Sequence, residues 1–181
     1  VTNPGGHSSM PRPDNAIYQL SAALGRIGAH RFPVAMNEIS KAYLKGVAAR
    51  ASPEMRAALE RLAADATDAS TLATVTSNTE YNAILRTTCV ATMQGGGHAP
   101  NALPQKAEAN VNCRIFPGVK IEDIRQQLQT LSGPDVAVSA VEGSQTPETA
   151  PSPMRDDILQ AYQAAVGTRF PNAPILPFQS A

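Results

Sequence analysis

Residues 95–118 read Gly-Gly-Gly-His-Ala-Pro-Asn-Ala-Leu-Pro-Gln-Lys-Ala-Glu-Ala-Asn-Val-Asn-Cys-Arg-Ile-Phe-Pro-Gly, and the second half of this stretch predicts a β-strand. From Lys106 to Phe116, apolar and polar residues alternate without a break, which is the pattern of a strand with one buried face and one wet face. The predicted buried face consists of Ala107, Ala109, Val111, Cys113 and Ile115. The predicted wet face consists of Lys106, Glu108, Asn110, Asn112 and Arg114.

The residues before this strand predict an antiparallel partner and a long connecting loop. Thr, Cys and Val are frequent between Arg86 and Met93, and these residue types favour a strand. Residues 94–105 contain three consecutive glycines and two prolines and are too numerous for a tight hairpin. Long loops between regular elements often carry binding or catalytic residues, so we expect a functional loop here.

Helical periodicity marks the segments on either side. Asp14 can cap a helix that ends near Gly28 or His30 and carries the apolar stripe Ile17, Leu20, Leu24 and Ile27. Residues 34–85 predict two or three further helices, one of them opening at Ser52-Pro53. The same apolar spacing recurs after the second strand, at Ile121, Ile124, Leu128 and Leu131, and a strand is predicted over Val136 to Val141.

The order of these elements predicts an α+β fold. A first strand before Gly5, of which only Val1 to Asn3 are present, would complete a βαββαβ sandwich. Such a sandwich has an antiparallel sheet with helices on one face, and here it carries a helical insertion at about 34–85. We expect this domain to span residues 1–142, followed by a linker over 143–153. Residues 154–181 are expected to return to a neighbouring domain, with a helix opening at Ser152-Pro153 and a strand over Pro174 to Phe178.

Composition restricts the partners. Fifteen basic and fifteen acidic residues cancel, which argues against a nucleic-acid partner. The sequence has no run of eighteen apolar residues, so no membrane segment is expected. The first residues do not resemble a signal peptide, and the missing initiator Met suggests an internal fragment, which leaves the cellular compartment open. The two cysteines are predicted to be buried thiols, although a hairpin centred near Asn101 would bring Cys89 and Cys113 close enough for a disulfide.

Two segments about ninety residues apart resemble one known family. They are residues 95–118 and Asn3-Pro-Gly-Gly-His-Ser-Ser-Met-Pro-Arg-Pro-Asp-Asn-Ala-Ile17. Over residues 3 to about 142, the chain resembles the dimerisation, or lid, domain of M20-type zinc exopeptidases and amidohydrolases. The GGHSS and GGHAPNALP forms, with the helical insertion, resemble the branch that contains Gly-Xaa carboxypeptidases and N-acyl amino acid hydrolases.

The resemblance implies a homodimer and a hydrolytic parent enzyme. That enzyme would cleave an amide or peptide bond next to a free carboxylate, with a peptide or N-acyl amino acid as substrate. Two zinc ions would lie in a catalytic domain outside this chain, because the sequence has neither a His-x-Asp segment nor a Glu-Glu pair. The isolated chain is therefore expected to be inactive. Another M20 specificity, such as an aminoacylase or a diacid-deacylating enzyme, and a stand-alone ligand-binding or dimerisation module remain the alternatives.

The resemblance also implies roles for four residues. His7 would stabilise the oxyanion, typically in the active site of the partner subunit, whereas its residue type alone favours an ordinary surface or capping histidine. Asn101 and Arg114 would contact the substrate, and a guanidinium can bind a carboxylate through two parallel hydrogen bonds. A solvated cation on the strand is the alternative for Arg114. His98 would line the site or, equally well, pack its own loop.

Overall fold

The computed structural model describes residues 1–141, 143 and 147–179. The chain divides into two compact units. The first unit contains Val1–Phe32, Thr88–Ile115 and Val119–Glu148. The second unit contains Pro33–Thr87, Phe116–Gly118 and Thr149–Ala181.

The first unit contains two antiparallel strand pairs. Strand β1 (Gly6–His7) pairs with β3 (Ala102–Leu103), and β2 (Thr88–Gly96) pairs with β4 (Ala107–Arg114). Along β4 the polar residues Glu108, Asn112 and Arg114 are exposed and Ala107 is buried, whereas Asn110, predicted on the wet face, is half-buried. The predicted hairpin strands and the alternation of their faces are therefore confirmed.

Two helices pack on one face of the β2–β4 pair. Helix α1 spans Ala16–Ala29 and α6 spans Ile121–Ser132. Their buried side chains form an apolar cluster with strand residues, consisting of Ile27, Phe32, Ile124 and Leu128 packed with Cys89, Val111 and Cys113. The cap of α1 is Asn15, which accepts from the amides of Ile17 and Tyr18. The predicted cap Asp14 is wrong, because its carboxylate pairs with Arg12 at 2.8 Å instead.

The α+β class is confirmed, but the predicted strand over Val136 to Val141 is wrong. Side chains of α6 bind the backbone of this segment where a neighbouring strand would bind it. The Gln129 carboxamide accepts from the Val138 amide at 3.0 Å and donates to the Val136 carbonyl at 2.8 Å, while Arg125 donates to the Val138 carbonyl at 3.4 Å. The described residues accordingly form two two-stranded sheets rather than a single one.

The edge of β4 that faces away from β2 pairs with the start of the chain. Val1 and Ala107 exchange backbone hydrogen bonds of 3.0 and 3.1 Å, and Thr2 bridges Lys106. Beyond Val1, no strand in the described part of the chain pairs with this edge. A groove of about 700 Å³ runs along it, between β4 and residues 136–141, and apolar side chains of α1 and α6 line it.

The second unit begins with four helices, one more than the sequence indicated. They are α2 (Glu38–Ala48), α3 (Pro53–Ala64), α4 (Ala69–Thr76) and α5 (Thr79–Leu85). Ser52 caps α3 as expected, while Asp68 and Asn78 cap two short helices in the region where apolar periodicity is weak. The buried side chains of the helical core are Leu44, Leu59, Leu62, Val75 and Leu85.

The C-terminal part of the second unit differs from its prediction. Helix α7 spans Asp156–Gly167, so the predicted start at Ser152-Pro153 is wrong. Asp156 and Asp157 occupy the first turn of α7, where the helix dipole favours negative charge.

The strand expected over Pro174 to Phe178 does not form either, because side-chain contacts to α2 hold this segment in place of a sheet. Phe178 packs edge-on against Tyr43 with ring centroids 5.4 Å apart, and Leu176 lies against Gly46, where a larger residue would not fit. No helix in the described part of the chain is long and apolar enough to cross a membrane.

Candidate functional site

The two glycine-rich segments meet through backbone hydrogen bonds. Gly6 lies opposite Leu103 and His7 opposite Ala102, and the Ser8 amide donates to the Asn101 carbonyl at 2.9 Å. These contacts join the backbone of the His7 segment to that of the Asn101 loop, although His7 and Asn101 are 94 positions apart in the sequence.

Gly5 allows this close approach. Its φ is +78°, a conformation that L side chains rarely adopt, and a Cβ at this position would lie 2.5 Å from the Gln105 Cγ. Gln105 in turn donates from its side chain to the Pro4 carbonyl at 3.3 Å, and its own carbonyl accepts from the Asn3 amide at 2.9 Å. A larger residue at position 5 would strain the backbone and displace the Gln105 side chain.

The ring of His7 is held by Ser9. The Ser9 amide donates to the His7 Nδ1 at 3.2 Å, and the Ser9 Oγ lies 2.8 Å from the same nitrogen. Because a backbone N–H can only donate, Nδ1 is an acceptor, and the neutral ring carries its proton on Nε2. The exposed imidazole therefore offers Nε2–H as a donor. Sequence reasoning missed this role of Ser9, although the serine two residues after the histidine is visible in the GGHSS segment.

Asn101 and His98 lie in the loop between β2 and β3, and both are exposed. His98 is three residues before Asn101, which pairs by its backbone with Ser8. Nearby, Lys106 contacts Glu108 at 2.5 Å and its hydrogen bond lowers the pKa of that carboxyl. The positive charge of Lys106 is thus balanced locally.

Arg114 lies far from the pair formed by His7 and Asn101. It is the last residue of β4, opposite Thr88, and its side chain is on the exposed face. It lies seven positions after Ala107, which corresponds to about 24 Å along a strand. The segment that carries His7 and Asn101 pairs beyond the Ala107 end of β4. The structure therefore joins the segments that carry His7 and Asn101 and leaves the arginine at the opposite end of the strand.

The two cysteines form a disulfide. Cys89 lies directly opposite Cys113 in the β2–β4 register, with a Cα–Cα distance of 4.1 Å. The prediction of two buried thiols is wrong. The disulfide, which the predicted hairpin allowed as the alternative, is confirmed. The bond joins β2 and β4 at the residue immediately before Arg114.

The residues present do not fit a metal centre. In the part of the chain that the structure describes, no group of three or more histidine, cysteine, aspartate and glutamate side chains could hold a metal ion. His7 is engaged by Ser9, and His30 packs edge-on against Phe32 at 4.7 Å. The paired segments supply hydrogen-bond donors, and the guanidinium of Arg114 lies at the other end of β4.

Comparison with known proteins supports the resemblance. The chain is 28% identical to N-fatty-acyl-amino acid synthase/hydrolase PM20D1.1 of Danio rerio over 98% of its own length and 34% of that protein. It is 27% identical to a probable carboxypeptidase S-like 2 of Dictyostelium discoideum, again over 98% of the chain and 34% of the relative. The protein PM20D1 of Mus musculus, also named an N-fatty-acyl-amino acid synthase/hydrolase, is 27% identical over 94% of the chain and 34% of its own length.

The chain thus spans about a third of the length of these curated relatives, which match the branch that the two histidine segments resemble. No solved structure matches it. The family model of the M20 peptidase dimerisation domain matches residues 1–138. Since that match covers most of the 181 residues, the chain belongs to the M20 peptidase dimerisation-domain family.

Proposed function

We propose that this chain is the lid and dimerisation part of an M20 exopeptidase that hydrolyses an amide or peptide bond next to a free carboxylate. The observation that carries the proposal is the pairing of β1 with β3, which joins the exposed His7 segment to the exposed Asn101 loop through backbone hydrogen bonds. The relatives that cover the whole chain bear the names of acyl-amino-acid hydrolases and a carboxypeptidase, which supports a substrate of this class.

His7 is the proposed oxyanion donor. The Ser9 amide occupies Nδ1 as an acceptor, so Nε2–H is the donor available to a carbonyl oxygen that gains negative charge. Asn101, whose carbonyl accepts from the Ser8 amide, would add a second contact to the substrate. His98, on the same loop, would line the site at its edge.

Arg114 is the proposed partner of the substrate carboxylate. In an N-acyl amino acid, the scissile carbonyl and the carboxylate are only a few bonds apart, whereas β4 separates Arg114 from the His7 end by about 24 Å. One protomer therefore does not place both residues on the same substrate molecule. We assign His7 and Asn101 to the active site of the partner subunit and Arg114 to that of its own subunit, which makes a homodimer necessary for activity.

The reaction requires a second domain. Two zinc ions would lie in that catalytic domain, because the residues that the structure describes supply no metal site. This chain would supply the contacts that orient the substrate and stabilise charge.

Kinetics of the full-length enzyme test these roles. His7→Ala should mainly lower kcat, by about 10²- to 10³-fold, because an oxyanion donor acts most strongly in the transition state. Arg114→Ala should instead raise KM for substrates with a free carboxylate and change KM much less for their amides. His30→Ala is the matched histidine control and should leave both constants unchanged. Equal effects of Arg114→Ala on acids and amides would refute its assignment.

Mixed dimers test whether His7 acts across the interface. Subunits with His7→Ala are combined with subunits inactivated at a zinc ligand of the catalytic domain. If His7 serves the partner, one of the two sites in each mixed dimer has neither defect, and part of the activity returns. Mass spectrometry must show that mixed dimers form. Their complete inactivity would place His7 in its own subunit or outside the reaction.

A further inference from the structure

The β2–β4 pair is divided by a bulge. Ala91 lies opposite Val111, but Met93 lies opposite Asn110, so Thr92 is an extra residue on β2. Four residue pairs lie between the bulge and the Arg114 end of the ladder, from Thr88–Arg114 to Ala91–Val111. We call these four pairs the outer half. The loop after β2 lies on the other side of the bulge and therefore does not fix this outer half directly.

Within the outer half itself, burial is only partial. None of its eight residues is fully buried; Val90, Ala91, Asn112 and Arg114 are exposed, and the other four are half-buried. The ends of strands open easily where few apolar contacts and many exposed backbone hydrogen bonds are found. Arg114 is the last residue of the ladder, and beyond it the buried Phe116 amide donates to the buried Thr87 Oγ1 at 3.0 Å, so one side-chain hydrogen bond and the disulfide flank the position of Arg114.

The Cys89–Cys113 disulfide closes this end of the pair. It joins the second pair from the end and leaves only the Thr88–Arg114 pair beyond it. The two cysteine side chains pack with Ile27 and Leu128 on the helix-covered face, whereas Arg114, one residue later, is exposed on the opposite face. The bond thus sets both the register and the face at the position next to Arg114.

We propose that the Cys89–Cys113 disulfide is a redox-sensitive positioning device that holds Arg114 ready to bind a substrate carboxylate. This inference rests on the proposed role of Arg114. A guanidinium binds a carboxylate through two parallel hydrogen bonds, which require a fixed orientation. An enzyme with the bond intact does not have to order the strand end when substrate binds, whereas the reduced enzyme does.

Reduction by a dithiol follows ordinary thiol–disulfide exchange. One thiolate of the dithiol attacks the sulfur of Cys89 or Cys113, the bond between them breaks, and a mixed disulfide forms. The second thiol of the reagent then displaces the remaining cysteine. The dithiol becomes a disulfide, and Cys89 and Cys113 become two thiols. Both cysteines are only half-buried, which leaves the bond partly accessible to such a reagent.

The test compares the oxidised full-length enzyme with the dithiol-reduced enzyme and with the double variant Cys89→Val and Cys113→Val, which keeps apolar side chains at both positions. Each is assayed with an N-acyl amino acid and with its amide. Loss of the bond should raise KM for the acid by about 2- to 10-fold, because Arg114 then has to be ordered when the substrate binds. The value of kcat and both constants for the amide should stay unchanged. Reoxidation of the reduced enzyme should restore KM, which provides a reversible measurement if the double variant fails to fold.

Arg114→Ala separates the inference from the proposed function. In the Arg114→Ala enzyme, reduction should have no further effect on KM for the acid, because the two changes act through one contact. If Arg114→Ala leaves KM for the acid unchanged in the oxidised enzyme, the proposed role of Arg114 is wrong. If Arg114→Ala raises that KM but reduction does not, the positioning role is overturned. Equal changes for acid and amide on reduction would also overturn it, since they indicate general loss of structure.

Discussion

Removing the disulfide should lower the free energy of unfolding of the first unit by about 3.5 kcal/mol. The cysteines are 24 positions apart, so the bond closes a loop of about 25 residues in the unfolded chain. The chain-entropy relation gives about 12 cal/mol/K for a loop of this size, which is about 3.5 kcal/mol at 25 °C. The apolar cluster around the bond persists when both cysteines are replaced by valine, so most of the loss reflects the freed loop.

Urea unfolding of this chain measures the effect. With a denaturant dependence of about 1–3 kcal/mol per molar urea, the midpoint of the double valine variant should fall by between about 1 and 3.5 M. The second unit also unfolds, so hydrogen exchange of the α1 and β4 amides should be used to follow the first unit by itself. Reduced wild-type protein is the control and should match the valine variant. A loss below about 1 kcal/mol in both samples would refute the calculation.

Three further predictions concern the chain as a whole. The purified chain should hydrolyse no N-acyl amino acid or dipeptide even with added zinc, since its sequence lacks His-x-Asp and Glu-Glu; zinc-dependent turnover would contradict its assignment as a lid. Hydrogen bonds from Thr71 and Ser70 lower the pKa of Asp68 from 3.8 to about 2. The ionised carboxylate therefore contributes to the stability of the fold above about pH 4, and this contribution is lost as the pH falls toward 2. Thermal unfolding between pH 2 and 6 should therefore depend less on pH in Asp68→Asn. Light scattering should show self-association of this chain and of a version extended before Val1 by a strand that fits the groove along β4. If the extended version is strictly monomeric at high concentration, the result argues against the homodimer.

The sequence by itself determined the elements in which the order of apolar and polar residues shows which side chains are buried. The alternation from Lys106 to Phe116 identified β4 and the face on which Arg114 lies, because a strand turns successive side chains to opposite sides. The apolar spacing of α6 and the Ser52-Pro53 start of α3 were likewise readable, since helix periodicity and capping are local properties. For the candidate site, resemblance indicated four residues but not their arrangement.

Tertiary structure alone decided which distant groups meet. The pairing of His7 with the Asn101 loop depends on backbone hydrogen bonds across 94 positions, and these bonds leave no periodic signal in either segment. The same limit explains the wrong prediction for residues 136–141. Their composition favours a strand, but a strand forms only where another backbone supplies partners, and here the side chains of Gln129 and Arg125 bind those groups. The disulfide was decided in the same way, because only the register of β2 on β4 places Cys89 opposite Cys113.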